Sequence, residues 1–292
     1  MPTVDGLVVV DKAPGWTSHD VVAKCRGIFD QKRVGHAGTL DPGATGVLLV
    51  GLGRVTRLLR YPGAGRKTYT GEVVLGLETA TLDDGGEVVA THEMAGVSLD
   101  DVRSVAAGFV GDIEQVPPMV SAVKVGGRRL HDLARKGVEV ERQPRRATVY
   151  GLDVEDAGER GVFRIDVTCS AGTYVRVLAA DIGRVLGGGA HLRRLRRTAV
   201  GEFGIDEAHP VEALGPDVVL APTEAMRGHD RVTVGDDLAA SVAHGGVLDR
   251  AELGVDGEGP WAVVDGTGAL LAVYEPTSDG RAKPAVVLQT DR

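Results

Sequence analysis

Between Lys32 and Gly46 one carboxylate (Asp41), one imidazole (His36) and a basic pair (Lys32, Arg33) are strung along a chain punctuated by Gly35, Gly38, Gly43 and Gly46. A carboxylate held in place can act as a nucleophile or as an ion-pair partner for developing positive charge. The setting favours such holding. Glycines permit backbone conformations that other residues resist, and Pro42 fixes φ directly after Asp41. Asp-Pro-Gly taken alone is an ordinary turn in which the aspartate caps its own backbone; the extended string sets this one apart. Other chemistries find no support. The 8 histidines include no His-x-x-x-His pair and no cysteine partner, so no metal is expected. There is no Walker loop. Gly51-Leu52-Gly53 lacks the third glycine of a dinucleotide fingerprint, and Gly187-Gly188-Gly189 reads as a turn, so no nucleotide cofactor is expected.

The run Gly-His-x-Gly-x-Leu-Asp-Pro-x-Ala-x-Gly, unbroken from Gly35 to Gly46, resembles the signature of the TruB family of tRNA pseudouridine synthases. Further blocks of that family recur in order: Asp11-Lys12-Ala13-Pro14-Gly15 with Ser18, Lys67-Thr68-Tyr69, Cys169 through Arg176, and Gly189 through Leu195. The resemblance runs from about residue 4 to about residue 225.

It implies the isomerisation of uridine 55 in the T-loop of tRNA. The N1–C1′ bond breaks, the uracil turns, and it rejoins through C5. Such chemistry needs a nucleophile or ion-pair partner, a proton acceptor for C5 and a way to hold the detached base. The resemblance assigns the first role to Asp41. A carboxylate in a cleft that excludes water is pushed towards its neutral form, so a guanidinium beside it is the expected compensation. Arg176 matches the arginine that pairs with the catalytic aspartate in the family. Tyr69 matches its active-site tyrosine, whose ring could stack on the base and whose phenol could carry a proton. Among substrate-binding residues, His36 matches a histidine that enters the RNA where the target base has left the stack, offering its planar ring in compensation. Leu195 would wall the uracil pocket, Lys12 would support Tyr69 and the loop near Asp41, and Tyr174 would also meet substrate.

These residues must be positioned by an α+β framework. Gly6 to Val10 reads as a strand, and Thr17 and Asp20 form an imperfect capping box before a helix reaching about Phe29. Val47 to Val50 is apolar, a helix is expected near Arg54 to Arg60, and Thr68 to Leu77 alternates as a strand. Leu99 to Phe109 begins with acids, as a helix should. Strands are expected at Val116 to Val125, Thr148 to Val154, Phe163 to Ser170 and Leu192 to Val200, and a helix from Tyr174 to Leu186. Asp83-Asp84-Gly85-Gly86 reads as a hairpin turn outside the site. The family resemblance implies a mixed, mostly antiparallel sheet with a central catalytic cleft. It spans a catalytic domain over 1–225, with a mobile basic insertion at about 124–146 that would fold over the T-loop. A Gly-Pro-rich link from His209 to Pro222 leads to a small C-terminal β domain over 226–292, where similar proteins often carry a PUA domain. Its expected strands are Arg231 to Val234, Trp261 to Val264, Leu270 to Tyr274 and Ala285 to Gln289.

The net charge of −8 is unevenly placed, because residues 205–292 carry 16 acidic against 6 basic side chains. Arg54 to Lys67 and Arg184 to Arg197 each hold five basic residues and no aspartate or glutamate, and Lys124 to Arg146 holds eight basic residues against three acids. Clustered cations supply nucleic-acid affinity through counterion release, so these segments are candidate phosphate contacts and tRNA (its T-arm) is the expected partner. The two cysteines, Cys25 and Cys169, read as reduced, buried apolar residues. Leu7 to Val10 is too short for a signal or membrane segment, so a cytoplasmic protein without membrane contact is expected. A monomer acting without a guide RNA is expected. The competing reading is an RNA-binding or tRNA-folding module in which Asp41 only shapes its loop; the carboxylate, Arg176 and Tyr69 together favour the enzyme.

Overall fold

The computed structural model describes residues 3–121, 124–125, 128–129, 138 and 140–288. Its strands are β1 (Gly6–Lys12), β2 (Val34–Ala37), β3 (Thr45–Leu52), β4 (Lys67–Leu75), β5 (Leu77–Thr79), β6 (Val88–Thr91), β7 (Gly111–Gln115), β8 (Lys124–Val125), β9 (Arg128–Arg129), β10 (Arg145–Asp156), β11 (Val162–Cys169), β12 (Ala190–Val200), β13 (Phe203–Gly204) and β14 (His209–Pro210). The principal helices of this part are α1 (Ser18–Ile28), α2 (Arg60–Ala64), α3 (Leu99–Ala107) and α4 (Val175–Val185). A sheet of 10 strands runs β14-β1-β3-β12-β4-β11-β10-β7, with β13 on β12 and β2 on β3. Within this sheet, among the described residues, only β1 with β14 and β12 with β3 pair in parallel.

Local sequence explains the framing elements. Thr17 Oγ1 accepts from Asp20 N at 3.0 Å while Asp20 Oδ2 accepts from Thr17 N at 2.8 Å, a reciprocal cap that starts α1. Ser98 and Asp101 repeat it at α3. In β1 and β3 the side chains from Leu7 to Val10 and from Val47 to Val50 are all buried, so both strands are covered on both faces. Val8, Val10, Leu48 and Val50 point into a core shared with α1 and α4. Leu7, Val9, Val47 and Leu49 point the other way and meet Ala262, Val264, Val273 and Val286 of a second sheet. Each fully buried Val or Leu is stabilised by about 1.5–3 kcal/mol relative to exposure.

That second sheet has five strands, β15 (Arg231–Thr233), β16 (Leu248–Asp249), β17 (Trp261–Val264), β18 (Leu270–Pro276) and β19 (Arg281–Val287), in the order β15-β17-β18-β19-β16. Helix α5 (Asp236–Ala243) and the short α6 (Arg250–Leu253) pack on it.

Three expectations are corrected. The helix near Arg54 to Arg60 is a 3-10 turn, Gly53–Arg57, followed by α2. Of the strand expected at Val116 to Val125, Lys124–Val125 is strand as β8, while Val116 to Ser121 form none and the longer strand β7 precedes them. The segment from His209 to Pro222 is folded against the large sheet: Val211 and Leu214 join its core, and Leu7 and Leu220 exchange backbone hydrogen bonds of 3.0 and 2.8 Å. About half of the basic insertion expected at 124–146 lies outside the described residues.

Candidate active site

Asp41 sits in the β2–β3 connection, and three buried side chains pin that loop by its backbone. Lys12 Nζ donates to the carbonyls of Ala13, Trp16 and Pro42 at 3.0, 2.7 and 3.2 Å. Ser18 Oγ accepts from Leu40 N at 2.9 Å. Arg197 donates from Nε to Val47 O at 2.7 Å and from Nη2 to Gly38 O at 3.0 Å. Residues 38, 40 and 42 are thereby fixed on both sides of Asp41. The loop closes against β12 at Gly46, where φ is +100° and a Cβ would lie 2.1 Å from Arg197 O, so only glycine fits.

Arg176 enters from the first turn of α4. That helix start has no side-chain cap of its own; Gln115 replaces it, accepting from Tyr174 N at 2.9 Å and donating to Tyr174 O at 3.2 Å. The guanidinium is 4% exposed and its Nε lies 2.9 Å from Asp41 Oδ2. Nη1 donates to Thr81 O at 2.6 Å and stands 3.5 Å from Asp83 Oδ2, and Nη2 donates to Val120 O at 2.9 Å. The cation is therefore satisfied by two carbonyls and shared between two carboxylates, as a buried charge requires.

Asp41 and Arg176 floor a cavity of about 280 Å³ walled by Tyr69, Tyr174, Leu195 and Lys67. Pockets for drug-sized ligands measure about 300–1,000 Å³, so this smaller space suits something on the scale of one nucleobase. A second lobe of about 290 Å³ shares Asp41, Arg176 and Leu195 and continues along Thr81, Asp83 and Arg194. The Asp41 side chain, which borders both lobes, keeps 37% of its surface accessible.

Burial raises the Asp41 carboxyl above its ordinary value; the Arg176 charge opposes that rise and Asp83 adds to it. Burial likewise raises the Tyr69 phenol, against the lowering effect of Arg197. Desolvation lowers both buried lysines, Lys12 and Lys67, to about 8.

Of the residues anticipated from sequence, Asp41, Tyr69, Arg176, Leu195 and Tyr174 meet around the first cavity. Lys12 does not line it and acts on the loop backbone instead of on Tyr69. His36 is on β2, outside that lining, with its ring edge-on to His19 at 5.4 Å between centroids. Its Nδ1 is buried without a hydrogen-bond partner among the described residues. Desolvation, with smaller contributions from His19 and Arg197, lowers it to about 4, leaving a neutral, flat ring near neutrality.

Residues 26–175 match the TruB family pseudouridylate synthase N-terminal domain, and residues 176–226 match the tRNA pseudouridylate synthase B C-terminal domain. The chain belongs to the TruB family. A protein of Symbiobacterium thermophilum named tRNA pseudouridine synthase B is 51% identical over 83% of this chain and 82% of its own length. One of the same name from Mycobacterium sp. (strain KMS) is 44% identical over 97% of this chain and 96% of its own. Among solved structures, a chain of a Cbf5-Nop10-Gar1 complex superposes with a TM-score of 0.69 at 26% identity, covering 98% of this chain and 84% of that one.

The TruB site contains residues that sequence reasoning missed. Asp83 was assigned to a turn, and it does make one, its Oδ1 accepting from Thr81 Oγ1 and from Gly85 N at 3.1 Å. Its other oxygen faces Arg176. The acid-rich spelling of the turn was the available signal. Lys67 and Arg197 fall in segments expected as candidate phosphate contacts, yet both are buried beside Tyr69. The two cation runs are mostly consumed within the protein. Arg54 pairs with Asp5, Arg60 with Glu275, Arg184 with Asp181, Arg193 and Arg194 with Glu72, and Arg196 with Asp11. Arg57 donates to Val287 O, and Arg66 lies 4.2 Å over the exposed Tyr150 ring.

Proposed function

We propose that this chain is a tRNA pseudouridine synthase that isomerises the T-loop uridine, uridine 55, to pseudouridine. The observation carrying this reading is the Asp41–Arg176 pair, 2.9 Å apart on the floor of a base-sized cavity walled by Tyr69, Tyr174 and Leu195. The uridine is flipped out of the RNA into that cavity, and Asp41 is the nucleophile. Arg176 favours the anionic carboxylate where water is scarce. Leu195 and the Tyr69 ring hold the detached uracil through its turn, and Tyr69 is placed to take part in moving the C5 proton. His36, neutral and flat, occupies the gap left in the RNA stack, which offsets part of the cost of flipping. Lys12 acts indirectly, by fixing Pro42 beside the nucleophile. The enzyme works in the cytoplasm as a monomer on the T-arm of tRNA, without a guide RNA. Residues 1–225 form the catalytic unit. Residues 226–292 form a docked β unit whose acidity makes it unsuited to holding phosphates.

Tritium release from tRNA labelled at uridine C5 tests the reading, because isomerisation frees that hydrogen. Wild type should release it, and Asp41→Asn should bind the same tRNA without release. Binding without release by both proteins would replace the enzyme with an RNA-binding module.

A further inference from the structure

The ladder between β12 and β4 slips by one residue beside the cleft. Arg193 is opposite Glu72 and Arg196 is opposite Thr70, so Arg194 and Leu195 together face the single residue Gly71. Side chains alternate between the faces of a strand, and directly opposed residues share a face; one inserted residue therefore turns the following residues over, here as far as Arg197, and a second shift before Ala199 restores the original sides. In an unbroken register Leu195 and Arg197 would lie on the face of Arg193 and Glu72, turned away from Tyr69. The insertion delivers both to Tyr69's side, where Arg197 pairs directly across from Tyr69. Leu195 then covers Gly71 and walls both lobes of the cleft. Arg197 reaches the carbonyls that hold the Asp41 loop.

The slip carries strain, since Arg194 adopts φ +53°, a left-handed conformation that non-glycine residues rarely enter. One side chain grips both residues at that point. Glu72 Oε2 accepts from Arg193 Nε at 2.7 Å, and Glu72 Oε1 accepts from Arg194 Nη1 at 3.0 Å. The carboxylate is only 16% exposed, and Arg193 is tied further to Glu159 at 2.7 Å. We infer that Glu72 is a positioning residue: it clasps the bulge that aims Leu195 and Arg197 at Asp41. This rests on the reading of the cleft as the site of uridine isomerisation.

The test combines kinetics with hydrogen exchange. Glu72→Ala should lower the single-turnover rate of tritium release about tenfold, the scale of loss from a slightly misplaced contact, and leave tRNA affinity within about twofold. Exchange of the amides of 194–197 in the free protein should quicken by a similar factor. Adding Arg194→Gly should restore most of both, because glycine enters the left-handed region without a clasp. Glu72→Gln, which keeps the shape and one acceptor, should fall between wild type and Glu72→Ala, and it serves if the alanine variant does not fold. Unchanged exchange in both Glu72 variants would overturn the clasp, as would a loss that Arg194→Gly leaves uncorrected or one expressed as weaker tRNA binding. If wild type itself releases no tritium, the functional reading fails, while the exchange measurements still decide the clasp.

Discussion

The two sheets of this molecule solve the problem of a buried interior in opposite ways. Around Asp41 the large sheet buries Lys12, Lys67, Arg176 and Arg197. The five-stranded sheet buries Trp261, Val263, Leu271, Ala272 and Tyr274, and its large aromatic residues have only single polar tips to satisfy. Trp261 Nε1 donates to Asp256 O and Tyr274 OH donates to Gly246 O, both at 2.8 Å. Burying a cation is costly unless it is fully hydrogen-bonded, and apolar replacements often serve stability as well or better. Four such cations around one carboxylate are therefore poorly explained by stability alone. They are explained by the need to fix a loop and hold an anion in a place with little water. The second sheet, without that task, has an ordinary apolar core and keeps its charge outside.

The comparison breaks most sharply at Arg197. Replacing it with Met leaves the carbonyls of Val47 and Gly38 without their donor, at about 1–3 kcal/mol each, and frees the loop that carries Asp41. Arg197→Met should lower the midpoint of urea unfolding and reduce tritium release by about a hundredfold or more, the order expected when a reacting group is misplaced. A variant as active as wild type would show that the buried cation is not what sets the loop.

The buried lysines sharpen the contrast through pH. Lys12 and Lys67 titrate near 8 in the folded protein, below the ordinary 10.5, so between those values the unfolded chain binds more protons than the folded one. Their contribution to stability therefore rises as pH increases from about 8 towards 10.5. Activity should move the other way. Above 8 the Lys12 ammonium loses a donor and the positive charge that favours ionised Asp41. Single-turnover rates should fall across this window while these two groups make unfolding harder, and Lys12→Met should remove part of the rate's dependence on pH. Rate and stability falling together, with the same profile in Lys12→Met, would contradict the assignment.

How far the sequence foretold this arrangement depended on how local each cause was. The capping box of Thr17 and Asp20 was legible because its partners are three residues apart. The Asp41 loop was legible because its glycines, proline and carboxylate are contiguous, and the family pattern carried Tyr69, Arg176 and Leu195 to the same place. The cation runs misled because their partners are remote in sequence. Asp5, Asp11, Glu72 and Glu275 neutralise arginines that look free when only neighbouring residues are read. The slip between β12 and β4 was invisible for the same reason: nothing in Arg193-Arg194-Leu195 announces which face Leu195 will take until the opposing Glu72 and Thr70 are known.

The smallest expected effect lies in the second sheet and tests its independence from chemistry. Tyr274 is fully buried, with its hydroxyl on Gly246 O, so Tyr274→Phe removes one hydrogen bond and almost no volume. That should cost about 1 kcal/mol of stability, since the carbonyl loses a neutral donor. The strand it occupies also supplies Val273 to the core against the back of the large sheet, but through the opposite face. The perturbation therefore has no direct route to Asp41, and the single-turnover rate should stay within about twofold of wild type, the scatter of an uncoupled site. A substantial loss of rate at full tRNA occupancy would mean that the acidic sheet takes part in shaping the cleft, and the division between a sheet organised for chemistry and one organised for packing would have to be redrawn.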